Sequence, residues 1–283
     1  MTSVAPASVL ASLVNGVAQP SVSVLDRGLH YGDGLFETIA VAQGEAVLWD
    51  RHLARLRAGC ERLGFVCPSP GTLRSETILL CAGHRRAVLK WIITRGGAGR
   101  GYRPSSDAVP NRIGLIYAWP EHPPECWSHG VKLALCSVAL SAQPALAGVK
   151  HLGRIEQVLA AAECEALGAH EGVMLDLEGR VVEGSMSNLF LVKDGRLRTP
   201  ALTSCGIAGI MRQFVIDRAE GLGVAGVDIC HLDVEALRTA DELFVTNSVI
   251  GLWPVREFDG RHFGRPGPVS RQFLEVIRDE LTM

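Results

Sequence analysis

Lys150 lies in an apolar stretch bracketed by glycines, Leu146-Ala147-Gly148-Val149-Lys150-His151-Leu152-Gly153. Directly after it Ile155, Val158, Leu159 and Ala162 recur at helical spacing and Gly168 supplies a stop, so a helix is expected just beyond the lysine. The positive end of a helix disfavours an ammonium group, and partial desolvation adds to the effect. An amine that sheds its proton readily can attack a carbonyl and form an imine. Most lysines are solvated surface groups, however, so this stretch does not decide the matter alone.

Three other stretches have residue types suited to chemistry. Asp26 to Thr38 places three glycines among charged and aromatic residues, which reads as a shaped loop rather than a strand. Arg95 to Pro104 is glycine-rich with three arginines. No helix follows it and no G-K-[ST] occurs, which argues against a nucleotide-phosphate loop and leaves open a mobile loop whose arginines face an anionic substrate or a flexible hairpin. Cys205 to Gln213 leads small residues into a helix start, where backbone N–H groups are available to a phosphate, although a plain tight turn is the commoner reason for such residues.

The totals exclude several classes. A net charge of -2 with dispersed basic residues leaves no nucleic-acid footprint. The apolar runs stop short of a membrane span, and Met1 to Leu13 lacks the basic start of a signal peptide. The eight cysteines form no C-x-x-C pair and the nine histidines no H-E-x-x-H, so no metal site is expected. Scattered cysteines in apolar runs suit buried reduced thiols and a cytoplasmic location. With 47% hydrophobic residues in 283, the chain can bury a sizeable core, as one large domain or two.

The elements expected to position these stretches follow from pattern. A hairpin is expected over Ser12 to Pro20 around Asn15-Gly16, and strands over Leu35 to Val41 and Ala46 to Trp49. Asp50 is the expected N-cap of a helix to about Leu63, stopped by Gly64; a second helix spans about Thr72 to Cys81. Strands follow at Ala87 to Thr94, Ile113 to Trp119 and Val131 to Val138. Pro120-Glu121-His122-Pro123-Pro124 is the expected domain boundary, which gives a first domain over 1–119, a linker over 120–130 and a second domain over 131–283. Beyond the Lys150 helix come hairpins over Glu178-Gly179 and Asp194-Gly195, and then the helix after Gly209. Strands at Val227 to Ile229 and Glu242 to Thr246 flank a short helix, and a last helix runs from about Val269 to Leu281.

Taken in order, several motifs resemble the fold-type IV pyridoxal-phosphate enzymes (the class IV aminotransferase-like family), and most closely the aminodeoxychorismate lyases among them. The carrying pieces are Arg27-x-x-x-Tyr31-Gly32-Asp33-Gly34-x-Phe36-Glu37, His52-x-x-Arg55-Leu56 and Gly99-Arg100-Gly101-Tyr102. The second half adds Lys150-His151-Leu152-x-Arg154-x-Glu156-Gln157-Val158-Leu159, Glu183-Gly184-x-x-x-Asn188-Leu189-Phe190 and Gly209-Ile210-Met211-Arg212-Gln213.

The resemblance implies a mixed α/β (α+β) two-domain fold, with a small N-terminal α/β domain and a larger C-terminal domain built on a barrel-like sheet. It implies pyridoxal 5'-phosphate as cofactor, bonded to Lys150, with Glu183 against the pyridine nitrogen. Arg55, the backbone N–H groups of Ile210 and Met211, and Ser248 would hold its phosphate. Thr38 falls where a proton-relaying hydroxyl is expected. Arg100, Tyr102 and Tyr31 fall at substrate positions, with Arg103 nearby. The implied reaction is elimination, converting 4-amino-4-deoxychorismate to 4-aminobenzoate and pyruvate in folate biosynthesis, by a homodimer. A D-amino-acid or branched-chain aminotransferase of the same fold is the alternative. Ile155 stands where the branched-chain aminotransferases carry a tyrosine, which loosens that match. A cofactor carrier without turnover would not need Lys150, Glu183 and Arg55 together.

Overall fold

The computed structural model describes residues 8–18, 21–97 and 100–281. The chain forms two compact units: one takes the residues up to Glu121 together with Val149–Gly153, the other His122–Gly148 and Arg154 onward. The five residues around Lys150 therefore pack with the first unit.

The first unit contains β1 (Val9–Val14), α1 (Arg27–Tyr31), β2 (Gly34–Ala42), β3 (Glu45–Ala46), α2 (Trp49–Leu63), α3 (Pro70–Cys81), β4 (Arg86–Thr94) and β5 (Asn111–Ala118). Its strands pair in the order β1-β5-β4-β2-β3, every pair antiparallel. β4 and β5 are rich in β-branched and aromatic residues, which fit a pleated, half-buried surface. Leu56 and Cys60 of α2 and Leu73 and Leu80 of α3 join Leu35, Ile39, Leu89, Trp91 and Ile116 in one buried core. α3 starts cleanly: Ser69 Oγ accepts from the Thr72 N–H, and Pro70 occupies the first turn.

Several boundaries differ from those expected. Asp26 to Thr38 is not a continuous loop. Asp26 Oδ1 accepts from the Gly28 N–H and starts α1, Gly32 ends it at φ 64, and β2 begins two residues later. The strand expected at Ala46 to Trp49 stops at Ala46, because Leu48 turns into the left-handed region (φ 53) and starts α2. Asp50 is consequently inside the first turn of α2 rather than its N-cap. The Asn15-Gly16 turn forms with both residues at positive φ and reciprocal Val14–Val17 bonds. Gln19 and Pro20, at the end of that expected hairpin, lie outside the described residues, as do Met1 to Ala7.

The second unit contains α4 (Glu125–Ser128), β6 (Val131–Leu135), α5 (Ile155–Ala166), β7 (Glu171–Leu175), β8 (Val181–Gly184), β9 (Asn188–Lys193), β10 (Arg196–Pro200), α6 (Ile210–Arg218) and β11 (Val227–Cys230). It continues through α7 (Val234–Arg238), β12 (Glu242–Asn247), β13 (Gly251–Phe258), β14 (Arg261–His262) and α8 (Pro268–Leu281). The sheet order is β11-β10-β9-β12-β13-β6-β7-β8, with β14 on β13, and the sheet curls into a half-barrel. Leu133, Val173, Leu189, Leu243, Val245 and Trp253 fill its core.

β13 is not expected from pattern, because Pro254 argues against a strand. The structure accommodates it at a handover. β13 pairs with β12 from Gly251 to Pro254 and with β6 from Val255 onward, so the missing amide falls where one ladder ends and the next begins.

The face of α5 also departs from expectation. Gln157, Ala160 and Cys164 are its buried residues, whereas Ile155, Val158 and Leu159 are 71%, 61% and 53% exposed. Helical spacing identifies a stripe but not what covers it. Here the apolar stripe looks outward.

One close approach controls the packing of α3. Gly114 on β5 lies opposite Trp91 on β4, and a Cβ at Gly114 would sit 2.5 Å from Leu80 Cδ1 and 3.0 Å from the Trp91 ring. Trp91 in turn donates its indole N–H to Thr77 Oγ1 on α3 at 2.9 Å. Gly114→Val should therefore overpack this layer and cost about 1–3 kcal/mol, read as a lower denaturant midpoint with unchanged slope.

Candidate active site

β2 alternates between two faces, as a strand must. Leu35, Glu37 and Ile39 are buried, while Phe36 and Thr38 are only partly so. On the buried face the Glu37 carboxylate receives Arg55 Nε at 2.8 Å and Arg55 Nη2 at 2.5 Å. Its Oε2 also lies 2.6 Å from His52 Nδ1. His52 and Arg55 are three apart on α2 and so share one helical face. Burial alone would raise the Glu37 pKa, but the Arg55 charge and the hydrogen bonds from His52 and Arg55 outweigh it, holding the carboxyl at about 2. Burial pulls His52 below its ordinary value, against the pull of Glu37. A neutral imidazole donating from Nδ1 to an ionised Glu37 meets both conditions.

On the other face Lys150 Nζ lies 4.2 Å from the Phe36 ring centroid, and Lys90 Nζ lies 5.4 Å from the same ring. Thr38 pairs with Lys90 across β2 and β4. Burial lowers the Lys90 pKa. The main chain fixes Lys150 here: its carbonyl accepts from the Phe36 N–H at 3.1 Å, and the Leu152 N–H donates to the Gly34 carbonyl at 3.0 Å. The expected helix dipole contributes little, because α5 has Arg154 as its N-cap, four residues on, and the effect fades within a turn. The surroundings of Lys150 come instead from β2.

The Arg95 to Pro104 stretch is tied down at two points. Arg27, buried in α1, donates to the Gly101 and Tyr102 carbonyls, and Arg95 donates to the Leu63 and Gly64 carbonyls at the end of α2. Both arginines grip Asp33 Oδ2 at 2.8 Å. Burial acts to raise Asp33, but the Arg95 and Arg27 bonds prevail and hold it below the usual carboxylate range. Tyr31 and Tyr102 lie together, with ring centroids 5.3 Å apart, and Arg100 is exposed. Gly99 of the expected motif lies outside the described residues.

In the second unit Glu183 is buried on β8, with Oε2 accepting the Ile207 N–H at 2.7 Å. The turn after it is gathered by the buried Glu171, which accepts from the Ser185 and Ser187 hydroxyls and from the Ser185 N–H. Asn188 Nδ2 donates to the Ile207 carbonyl at 2.8 Å. A Cβ on Gly209 would lie 2.0 Å from Asn188 Oδ1, so a larger residue there would have to displace the Asn188 amide. α6 starts at Ile210 with no side-chain cap, and Ile210, Met211 and Arg212 are its first residues. Thr246 pairs with Asn188 across β12 and β9, and its buried hydroxyl has no hydrogen-bond partner among the described residues. Ser248 follows in a turn where Asn247 Oδ1 accepts the Val249 and Ile250 N–H groups.

The first unit thus brings Tyr31 and Tyr102 together, leaves Arg100 exposed two residues before Tyr102, and sets Thr38 and Lys150 on one face, with Arg55 behind on α2. The second gathers Glu183, Ile210, Met211 and Ser248 through Asn188 and Ile207. Sequence reasoning missed Lys90, Glu37, His52, Asn188 and Thr246 as parts of these settings. Lys90 was visible as a lone charge inside the apolar run Val88 to Ile93; the others needed the strand register.

A small antiparallel sheet backed by two helices, together with a curled mixed sheet, is the fold-type IV architecture. Residues 34–258 match the family described as Amino-transferase class IV. The chain belongs to that family. An aminodeoxychorismate lyase of Vibrio harveyi is 36% identical, with 86% of this chain and 89% of that protein covered. The crystal structure of 4-amino-4-deoxychorismate lyase from Pseudomonas aeruginosa superposes with a TM-score of 0.90 at 46% identity, covering 96% of this chain and 100% of that one. The branched-chain amino acid aminotransferase of Escherichia coli gives a TM-score of 0.87 at 26% identity, covering 96% of this chain and 94% of that one.

The Glu37 network has a testable consequence. Its folded pKa of about 2 lies below the ordinary 4.5, so the stabilisation is fully present above pH 4.5 and is lost as pH falls through about 2. The magnitude is on the order of 3 kcal/mol. Denaturant melts between about pH 5 and about pH 2.5 should show this acid-side loss, and Glu37→Gln should flatten it while lowering stability at neutral pH.

Proposed function

We propose that the protein is a pyridoxal-phosphate-dependent lyase converting 4-amino-4-deoxychorismate to 4-aminobenzoate and pyruvate, a reaction that supplies folate biosynthesis. The observation that carries this reading is likeness along essentially the whole length of two lyases, one at 46% identity. The aminotransferase reading is secondary and rests on lower identity.

The residues present suit the cofactor. α6 has an uncapped start entered by Gly209, where a Cβ would press on the Asn188 amide, and such a start favours a phosphate dianion. The buried Thr246 hydroxyl lacks a partner among the described residues, and Glu183 is a buried carboxylate held by a main-chain N–H. In the proposed assignment Lys150 bonds the cofactor, Glu183 meets its pyridine nitrogen, and Arg55, Ser248 and the N–H groups of Ile210 and Met211 take its phosphate. When bound, pyridoxal phosphate draws electron density from the carbon bearing the substrate amine. Lys150 removes the proton from that carbon, and Thr38, in register with Lys90, relays it. Arg100 and Tyr102 meet the substrate carboxylates, and Tyr31 packs beside Tyr102.

A homodimer is part of the same proposal. The outward apolar stripe of α5 suits burial against a second copy, because exposed apolar patches of this kind mark association surfaces. A cytoplasmic location accords with eight free cysteines. No described helix is long and apolar enough to cross a membrane.

Three experiments test the proposal. Incubation with 4-amino-4-deoxychorismate alone should give 4-aminobenzoate and pyruvate in equal amounts. Glutamate formed from an amino acid and 2-oxoglutarate, without any 4-aminobenzoate, would install the aminotransferase reading instead. Glu183→Gln should retain cofactor but lose kcat by about 100-fold or more, since its interaction grows with the charge that develops in the reaction. Val158→Glu should shift sedimentation from twice the chain mass to the chain mass.

A further inference from the structure

The loop carrying Arg100 and Tyr102 combines a pinned main chain with exposed side chains. Tyr102 is 84% exposed, whereas Arg27 beneath it is 4% exposed. The Arg27 guanidinium directs Nη1 to the Gly101 carbonyl at 2.9 Å and Nη2 to the Tyr102 carbonyl at 2.8 Å, leaving Nε for Asp33 at 2.8 Å. Its central carbon also lies 5.0 Å from the Tyr31 ring centroid. A buried guanidinium costs desolvation, which its hydrogen bonds must offset. Here two of those bonds reach far along the chain to adjacent carbonyls of a short loop.

The alternatives for this arginine are weaker. It makes no bond within α1 that a smaller residue could not dispense with, and the charge of Asp33 is already met by Arg95 at the same distance. What Arg27 alone supplies is a planar fork that fixes two consecutive carbonyls and supports the Tyr31 face at the same time. A lysine, with one ammonium and no plane, cannot reproduce that geometry.

We propose that Arg27 is the positioning residue of the substrate loop: it sets the main chain at Gly101-Tyr102, and through it the reach of Arg100 and Tyr102 toward a carboxylated substrate. This deepens, and rests on, the lyase reading above. The main chain at Gly101-Tyr102 is held in advance by these bonds, so less ordering remains there when the substrate arrives, and the benefit falls on binding rather than on proton removal.

The test compares the holoenzyme with Arg27→Gln and Arg27→Lys by limited trypsin digestion and by steady-state kinetics. Trypsin can cut after Arg100, whereas the Arg103-Pro104 bond resists it. Both variants should keep the cofactor absorbance, be cut after Arg100 about tenfold faster as the loop opens more often, and show KM raised about tenfold with kcat within about twofold. Unchanged cleavage after Arg100 would overturn the clamp; faster cleavage with unchanged KM would overturn its role toward substrate. If Arg27→Gln is digested throughout, Arg27→Lys, which keeps the charge beside Asp33, decides by the same two readouts. Digestion throughout in both variants would assign Arg27 to maintaining the fold and overturn the proposal. A wild-type protein that releases no 4-aminobenzoate would defeat the lyase reading instead, with the digestion still testing the clamp and KM then read for the amino acid that does turn over.

Discussion

Two main-chain hydrogen bonds, from Phe36 N–H to the Lys150 carbonyl and from Leu152 N–H to the Gly34 carbonyl, place the lysine proposed to hold the cofactor. They make the Lys150 segment an extra rung on the first residues of β2. Strand alternation then does the rest: Lys150 meets Phe36 on the face that carries Thr38, while Glu37 points the other way into α2. Shifting this pairing by one residue would carry the lysine to the face where Glu37, His52 and Arg55 are already committed. The position of the amine is thus a matter of register, not of local sequence preference.

Buried charge follows a common pattern in both units. Glu37 is held by two side chains of α2, the half-buried Asp33 by arginines from two segments, and Glu171 and Glu183 by main-chain N–H groups. A carboxylate buried without such partners would neutralise. Satisfying it therefore requires the partners to be in place, which couples the local shape of the site to the integrity of the fold.

Much of this was legible before the structure. The helices closed by Gly64 and Gly168 and the hairpins at Asp194-Gly195 and Glu178-Gly179 follow from turn chemistry that acts over a few residues. The motifs pointed to the family because they preserve order and spacing over most of the chain. What escaped depended on distant partners. Pro254 concealed β13, since no pattern reveals that a strand changes neighbour at that residue. Ile155, Val158 and Leu159 announced a helix face but not its covering. Glu37 and His52, fifteen residues apart, meet only because β2 and α2 pack. Arg27 opens a family motif, but its bonds to the Gly101 and Tyr102 carbonyls span more than seventy residues and no local pattern carries them.

The handover in β13 divides the second sheet in a way the strand order conceals. Between the ladder with β12 and the ladder with β6, the continuity of the sheet runs through the covalent backbone at Pro254 and Val255. Pro254 has no amide proton to exchange or to donate. The strands from β11 to β12 and those from β6 to β8 therefore meet at a seam with no shared hydrogen-bond ladder across it. Leu133 and Val173 from one side and Leu189, Leu243 and Val245 from the other nevertheless fill one core, and the Val181 N–H donates to the Leu232 carbonyl at the far edge, so the seam interrupts the hydrogen-bond ladder and not the packing.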